Sequence, residues 1–461
     1  LRPVTATTPA AHPAAVAGDR AMDRRAFALV LGAIGVVALV VRLLYAERYG
    51  YLRGVNDATW YHTVANAIAD GHGFSLGTRL DTSSPTAFEI SGPWLPTAYH
   101  PPLFPAVLAL PASFGLTSFV GQRTVSCVIG AATPLAVALV GRRIGGDRLG
   151  LVAGVSAAIY PPLVANDSVL MSESLYGLLI AATILTAMWT AAAPTWRRAA
   201  VLGAVVGLDA LTRAEALLLL VLLVPFVVRR AGPGSLRRYL AAVAAALVLV
   251  APWCVRNSLQ FDRATGISTG DGAVLASANT DRTYRGPYIG SWDFAALAVP
   301  RSARVDRKDE AAVGAYLRRR GVDYARAHAG RLPVVAAARA LRTWSLYPFD
   351  LARQARQNEF LSARHGAAGW ASLVAGWAAV ALALLGALLL RRQGILGAPL
   401  LSPLVLVTVS SAVFYGDVRF REAAEISLVL LAAVAVRALW HRLVARGAPS
   451  ANGANAPAAV G

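Results

Sequence analysis

The sequence predicts an all-α integral membrane protein, a polytopic helical bundle of about ten transmembrane helices, on three observations. Of its 461 residues 56% are hydrophobic and only 15% charged, with a mean hydropathy of +0.52, where a soluble domain carries roughly 25% charged residues. Apolar stretches long enough to cross a bilayer recur along the chain, and arginine clusters punctuate alternate connections between them. This composition excludes a soluble globular enzyme, a largely disordered chain and a fibre. The net charge of +19, from 44 basic against 25 acidic residues, would by itself suggest nucleic acid. Its placement beside apolar spans points to a lipid bilayer instead, and no nucleic-acid partner is expected. Cys127 and Cys254 fall in or beside apolar segments without metal-type spacing, so they read as inert thiols.

The first apolar run, Ala26 to Ala46, is interrupted only by Arg42 and follows Arg20, Arg24 and Arg25. At about 20 residues it spans a bilayer, and with no small-residue cleavage pattern after it, it reads as an uncleaved first helix with a cytoplasmic start. Further spans are expected at Val120–Val140, Leu149–Ala165, Leu175–Ala193, Ala199–Leu211, Ala214–Val228, Tyr239–Trp253, Ala367–Leu390, Ala398–Tyr415 and Ala423–Ala438. Alternate connections carry Arg142, Arg143 and Arg148; Arg197 and Arg198; Arg229, Arg230, Arg237 and Arg238; Arg391 and Arg392; and Arg437, Arg442 and Arg446. All five clusters fall on the side of the N-terminus if Pro101–Phe119 is a juxtamembrane helix rather than a span, which the positive-inside bias requires.

The organisation expected is therefore a disordered cytoplasmic tail (1–25), an N-terminal transmembrane module (26–253) that includes an outer loop (47–119), an extracytoplasmic segment (254–366), C-terminal transmembrane helices (367–441) and a second cytoplasmic tail (442–461). The extracytoplasmic segment holds amphipathic helix candidates near Asp306–Ala329 and Arg331–Tyr347, whose Trp344 and Tyr347 suit an interface anchor.

Charge beside a membrane core is costly, so residues that carry it face a cavity or a partner. The stretches Ala199–Leu211 and Ala214–Val228 rise only about 20 Å each, which sinks Asp209, Arg213 and Glu215 between them below the outer surface. Two readings of Arg213 are open there: self-neutralisation by Asp209 at i,i+4 spacing, or a ligand-facing arginine. Other charges gather at the same ends of the helices: Asp57, Asp167 and Glu173, Arg256, Arg419 and Arg421. Arginines suit a phosphate, which a planar guanidinium binds through two charge-assisted hydrogen bonds, and a carboxylate suits deprotonation of a hydroxyl.

The segments around these charges read GVNDATWYHTVANAIADGHGF (Gly54–Phe74), TAYHPPLFPAVLAL (Thr97–Leu110), YPPLVANDSVLMSESLY (Tyr160–Tyr176), GLDALTRAEALLLL (Gly207–Leu220), APWCVRNSLQF (Ala251–Phe261) and YGDVRFREAAE (Tyr415–Glu425). Together they resemble the GT-C class of polyprenyl-phosphate-sugar-dependent glycosyltransferases, in the branch of protein O-mannosyltransferases and lipid A aminoarabinose transferases. The resemblance implies a long first extracytoplasmic loop with juxtamembrane helices. It also implies Asp57 as the catalytic general base, Asp167 and Glu173 as acids that shape the site, and Arg256 where the donor phosphate is held, with Arg213, Arg419 and Arg421 as further candidates for that phosphate. The chain departs from those relatives in carrying Asp57-Ala58 where the mannosyltransferases have Asp-Glu, and Tyr99-His100 where the aminoarabinose transferases have Glu-Lys. His100, Tyr99 and His62 are accessory candidates, each with a structural role as the alternative. A divalent cation is compatible with this chemistry, but no ligand set for one is legible.

The function expected is transfer of a sugar from a polyprenyl-phosphate donor to an extracytoplasmic hydroxyl acceptor, with inversion, at a multi-pass plasma-membrane enzyme whose termini are cytoplasmic and whose site faces outside. Two rivals remain: a transporter or flippase of a lipid-linked or anionic substrate, and a non-catalytic partner of a cell-envelope complex.

Overall fold

A computed structural model describes residues 22–49, 57–77, 79–80, 88–89, 93–229, 234–350, 352, 354, 364, 366–395 and 397–447. Among the described residues six helices are long and apolar enough to cross a membrane: α1 (Arg24–Tyr49), α4 (Phe119–Gly145), α7 (Glu173–Ala192), α11 (Ser235–Gln260), α16 (Gly366–Arg392) and α18, Glu422–Gly447 with the turn before it. A seventh candidate is the pair α5 (Asp147–Ile159) and α6 (Pro161–Asp167), bent by 58° at Tyr160. Proline disfavours the helical region for the residue before it, and Tyr160 accordingly has φ −69 and ψ 113. The remaining apolar stretches form shorter helices. They are α8 (Trp196–Thr212), a 3₁₀ turn (Ala214–Leu218) with the short α9 (Leu219–Leu222) and α10 (Val224–Arg229), and α17 (Ala398–Val413). The expectation of about ten spans therefore becomes six, or seven with the bent pair, by length and composition.

Between α1 and α4 lie α2 (Asp57–Ala69) and α3 (Leu103–Ala112). The ten residues of α3 rise about 15 Å, half a bilayer core, shorter than the six long helices. The strands Ser75–Leu76 and Leu95–Pro96 pair antiparallel, as do Arg79–Leu80 and Phe88–Glu89. Beyond α11 come α12 (Asp271–Ala278), α13 (Asp281–Tyr284), α14 (Glu310–Ala327) and α15 (Leu332–Thr343), which include both amphipathic candidates. Trp344 is tied into the fold, donating to Thr408 Oγ1 at 3.1 Å.

Among the described residues the first helix starts at Arg24 and the last ends at Gly447, so residues expected in the tails at 24–25 and 442–447 are helical. Arginine favours a helix C-terminus through the backbone dipole, and α18 continues past its apolar run with Arg442 and Arg446 in its final turns. Residues 1–21 and 448–461 lie outside the described residues.

Helix packing follows from what faces what. On α1, Leu29, Val36 and Leu44 are exposed while Ile34, Ala38 and Arg42 are buried, an apolar face for lipid and a face for α4 and α5. Two glycines create room for charge inside the bundle. A Cβ at Gly130 of α4 would overlap the Asp167 carboxyl, and one at Gly177 of α7 would overlap Glu422 Oε1.

Candidate active site

Asp57 is the first residue of α2, a helix anchored by Trp60, Tyr61, Val64 and Ala65, which pack with Phe104 and Leu108 of α3 and with Leu170, Met171 and Leu175. Its carboxylate is 30% exposed and meets two partners. Arg419 Nη2 lies 2.8 Å from Oδ2, and His100 Nε2 lies 3.4 Å from Oδ1. Burial would raise the Asp57 pKa, but the Arg419 guanidinium and then His100 outweigh it and hold the carboxyl well below the usual carboxylate range.

Arg419 is set in the turn Val418–Arg421, where Asp417 Oδ1 accepts from the Arg419 backbone N–H at 3.0 Å. Its Nε points toward Glu173 Oε1 at 3.6 Å, beyond hydrogen-bonding distance, and is buried without an acceptor among the described residues. Glu173, at the start of α7 and buried, accepts from Arg213 Nη1 at 3.0 Å. Arg213, where α8 ends, also gives its Nε to Glu215 Oε1 at 2.7 Å, and its guanidinium lies over the rings of Tyr176 and Phe420. The result is one string, running His100, Asp57, Arg419, Glu173, Arg213, Glu215, in which acids and arginines alternate from Asp57 onward. The i,i+4 pairing of Arg213 with Asp209 does not form: Asp209 is buried and accepts from Thr183 Oγ1 at 2.6 Å.

His100 is held by aromatics. Its ring stacks on Tyr61 at 4.9 Å and 27° and meets Trp60 and Tyr99 edge-on. The backbone just before it is fixed by Glu310, at the first turn of α14, which accepts from Thr97 Oγ1 (2.6 Å), Ala98 N (2.8 Å) and Thr269 Oγ1 (2.5 Å). Burial pushes the Glu310 carboxyl up against those hydrogen bonds. Sequence reasoning missed Glu310. Its only local signal, the helix start at Asp309-Glu310, reads as a cap and says nothing about residues 97–98, over 200 positions earlier.

The other candidates lie apart from this string. Asp167 is buried and paired with Arg42 of α1, whose Nη2 and Nε reach Oδ2 at 2.7 and 2.8 Å. Arg421, beside Arg419 in sequence, turns inward and gives Nε to Glu425 at 2.5 Å, while Glu425 also accepts from Tyr160 at 2.7 Å. Close by, Asn166 donates to Glu422 at 2.6 Å and accepts from Arg364 at 2.9 Å. Arg256 directs its fork at backbone carbonyls, Thr97 O and Phe74 O, each at 3.0 Å, with Asn257 Oδ1 at 3.1 Å. These carbonyls flank the paired strands Ser75–Leu76 and Leu95–Pro96. His62 Nδ1 bonds Gln122 Oε1 at 3.0 Å, tying α2 to α4. Among the described residues no three His, Cys, Asp or Glu side chains converge as metal ligands; Asp57 and His100 are two.

Residues 99–255 match the family model for dolichyl-phosphate-mannose-protein mannosyltransferases. No curated protein sequence matches this chain significantly. Among solved structures, the archaeal oligosaccharyltransferase AglB from Archaeoglobus fulgidus, in complex with an inhibitory peptide and a dolichol-phosphate, superposes with TM-score 0.52 at 12% identity over 92% of this chain and 52% of that one. The apo form of that enzyme gives TM-score 0.53 at 13% identity over 92% and 52%. ArnT from Cupriavidus metallidurans bound to undecaprenyl phosphate gives 0.39 at 16% identity over 92% and 80%, too low a score to compare the two folds. The chain spans about half the length of the oligosaccharyltransferase structures it matches, and at such identities the likeness concerns the fold. It is a multi-pass membrane protein similar in fold to the archaeal oligosaccharyltransferase, and its residues 99–255 match the dolichyl-phosphate-mannose-protein mannosyltransferase family model.

Proposed function

We propose that the chain transfers a sugar from a polyprenyl-phosphate donor to a hydroxyl acceptor, with Asp57 as the general base. The observation that carries this is a partly exposed carboxylate set between His100 and Arg419, with the second arginine, Arg213, held one acid further on. Asp57 takes the acceptor proton as the hydroxyl oxygen attacks the anomeric carbon. The bond from that carbon to the phosphate oxygen breaks, the electron pair leaves with the phosphate, and polyprenyl phosphate departs. Attack from the face opposite the phosphate inverts the anomeric centre. Arg419 and Arg213 face the donor phosphate, and Glu173 places them both. Arg256, its fork occupied by backbone carbonyls, holds the loop rather than the phosphate, and Asp167 holds α1 against α6. The dolichol-phosphate bound to the archaeal relative supports a lipid-phosphate donor. We place the Asp57 end outside the plasma membrane and the arginine-rich connections in the cytoplasm, on the positive-inside bias.

Membranes with and without the chain, incubated with a panel of radiolabelled polyprenyl-phosphate sugars, test this reading. Label should pass to an acceptor only when the chain is present, and Asp57→Asn, well folded, should lower turnover by roughly 10²–10⁴, the range for general acid–base catalysis. Near-parental turnover in that variant would remove Asp57 as base. Uptake into proteoliposomes without product would replace the transferase by a transporter.

A further inference from the structure

Resting on that reading, we propose that Arg419 is a charge shuttle: its guanidinium leaves Asp57 for the donor phosphate as Asp57 takes up the acceptor proton. One side chain thereby couples deprotonation of the acceptor to departure of the lipid phosphate.

Charge balance is the first argument. Before transfer, Asp57 is an anion and the donor a singly charged phosphodiester. After it, Asp57 is neutral and the leaving group is a phosphate monoester carrying roughly −1.5 to −2. The proton moved onto Asp57 cancels the attraction that held Arg419, while the broken carbon–oxygen bond creates a stronger one on the phosphate. Net charge around the arginine stays nearly constant, so no charge has to be created in a poorly solvated site.

The two arginines differ in their freedom to do this. Arg213 is fixed from both sides, by Glu173 at 3.0 Å and Glu215 at 2.7 Å. Arg419 has one short carboxylate contact, Asp57 at 2.8 Å, a longer one to Glu173 at 3.6 Å, and a buried Nε with no hydrogen-bond acceptor among the described residues. Nη1 lies 4.0 Å from the soft Met171 sulfur, the Phe420 ring lies 5.3 Å from the guanidinium carbon, and Tyr415 is beside it. The backbone is pinned by Asp417, so movement is confined to the side chain. With its side chain 17% exposed, the guanidinium can meet a phosphate oxygen before giving up the carboxylate. On its other oxygen Asp57 keeps His100. The remaining titratable groups near it are Tyr61 on its own helix, Tyr99, Tyr415, and Glu173 beyond Arg419.

The test uses the purified full chain, undecaprenyl phosphate as probe, and dicyclohexylcarbodiimide, which modifies protonated carboxyls; the label on Asp57 is read by mass spectrometry. In the parent, undecaprenyl phosphate should draw Arg419 away and increase labelling of Asp57, about tenfold for each unit by which its pKa rises. Undecaprenol, without the phosphate, should do nothing. Arg419→Gln should label strongly without lipid and respond little to it, and its turnover should acquire an acid limb at higher pH than the parent. Arg419→Lys, which keeps the charge and loses the fork, should fall between. An equal rise on adding undecaprenyl phosphate in parent and Arg419→Gln would show the field of the phosphate alone and overturn the shuttle. Binding of undecaprenyl phosphate, seen as a rise in Tm, with no change in parental labelling would also overturn it, while loss of transfer in Asp57→Asn kept the base assignment standing. Absence of any undecaprenyl phosphate binding would overturn shuttle and donor assignment together.

Discussion

Two regions of this molecule are built from the same residue types and do different work. At the end where the charge string reaches solvent, its mouth, Asp57 meets Arg419 with side chains 30% and 17% exposed; in the interior, Asp167 meets Arg42 at 1% and 0%. A single stretch, Tyr415–Glu425, supplies both, since Arg419 turns to the mouth and Arg421 to the buried Glu425. In the interior, Arg42 directs Nε at Asp167 and Nη1 at the carbonyls of Ala38 and Ala158, with Nη2 2.7 Å from Asp167 Oδ2, and so fixes α1 against α5 and α6. At the mouth, the Arg419 and Asp57 side chains both stay partly exposed. The same pair of residue types is closed to solvent in one region and open to it in the other, and a charge is costliest to leave unpaired where it is buried.

Exchanging one mutation between the regions gives the largest effects. Asp57→Asn should leave the Tm of the detergent-solubilised protein near the parental value while turnover falls by roughly 10²–10⁴. Asp167→Asn should do the reverse. It leaves Arg42 buried without its counter-ion, a loss of about 3–5 kcal/mol, and lowers the Tm, while the molecules that remain folded turn over at the parental rate. A parental Tm for Asp167→Asn, with turnover lost, would move it from structure to chemistry.

Smaller effects sharpen the contrast. Gly130→Ala puts a methyl where the Asp167 carboxyl stands, and overpacking of that kind costs about 1–3 kcal/mol; a thermal melt should show it, with the donor KM unchanged. Less again is expected from Arg256→Lys, which keeps a charge and gives up the two-pronged grip on Thr97 O and Phe74 O. Hydrogen bonds to a charged group contribute about 1.5–3 kcal/mol, and part of that survives in lysine. The Tm should fall slightly and the donor KM hold; a raised donor KM at unchanged Tm would return Arg256 to the phosphate.

Much of the site was legible as a set of residues and little of it as a geometry. Asp57, Glu173, Arg213 and Arg419 stand out because charge beside apolar spans is rare, and the string contains them all. Reading Arg213 against Asp209 failed because i,i+4 spacing carries only as far as the helix does, and α8 ends at Thr212, leaving the arginine free to turn toward α7. Arg419 and Arg421 looked like a pair, yet two residues apart in a tight turn they point to different sides. Glu310 was not found at all, because its partners, Thr97 and Ala98, belong to a distant loop.

By itself the sequence determined the membrane class, the positions of the long apolar helices and the charged residues that stand beside them. Each of these depends on composition within one window about as long as a bilayer is thick, and hydrophobic transfer is a sum over such a window. Only the tertiary structure decided which acid meets which arginine, since Asp57 and Arg419 lie 362 positions apart and Arg42 and Asp167 lie 125 apart. Ion pairing falls off over a few ångströms and depends on which helix faces come together. That is set by packing details such as Gly130 and Gly177, where the absence of a side chain makes room for a charge.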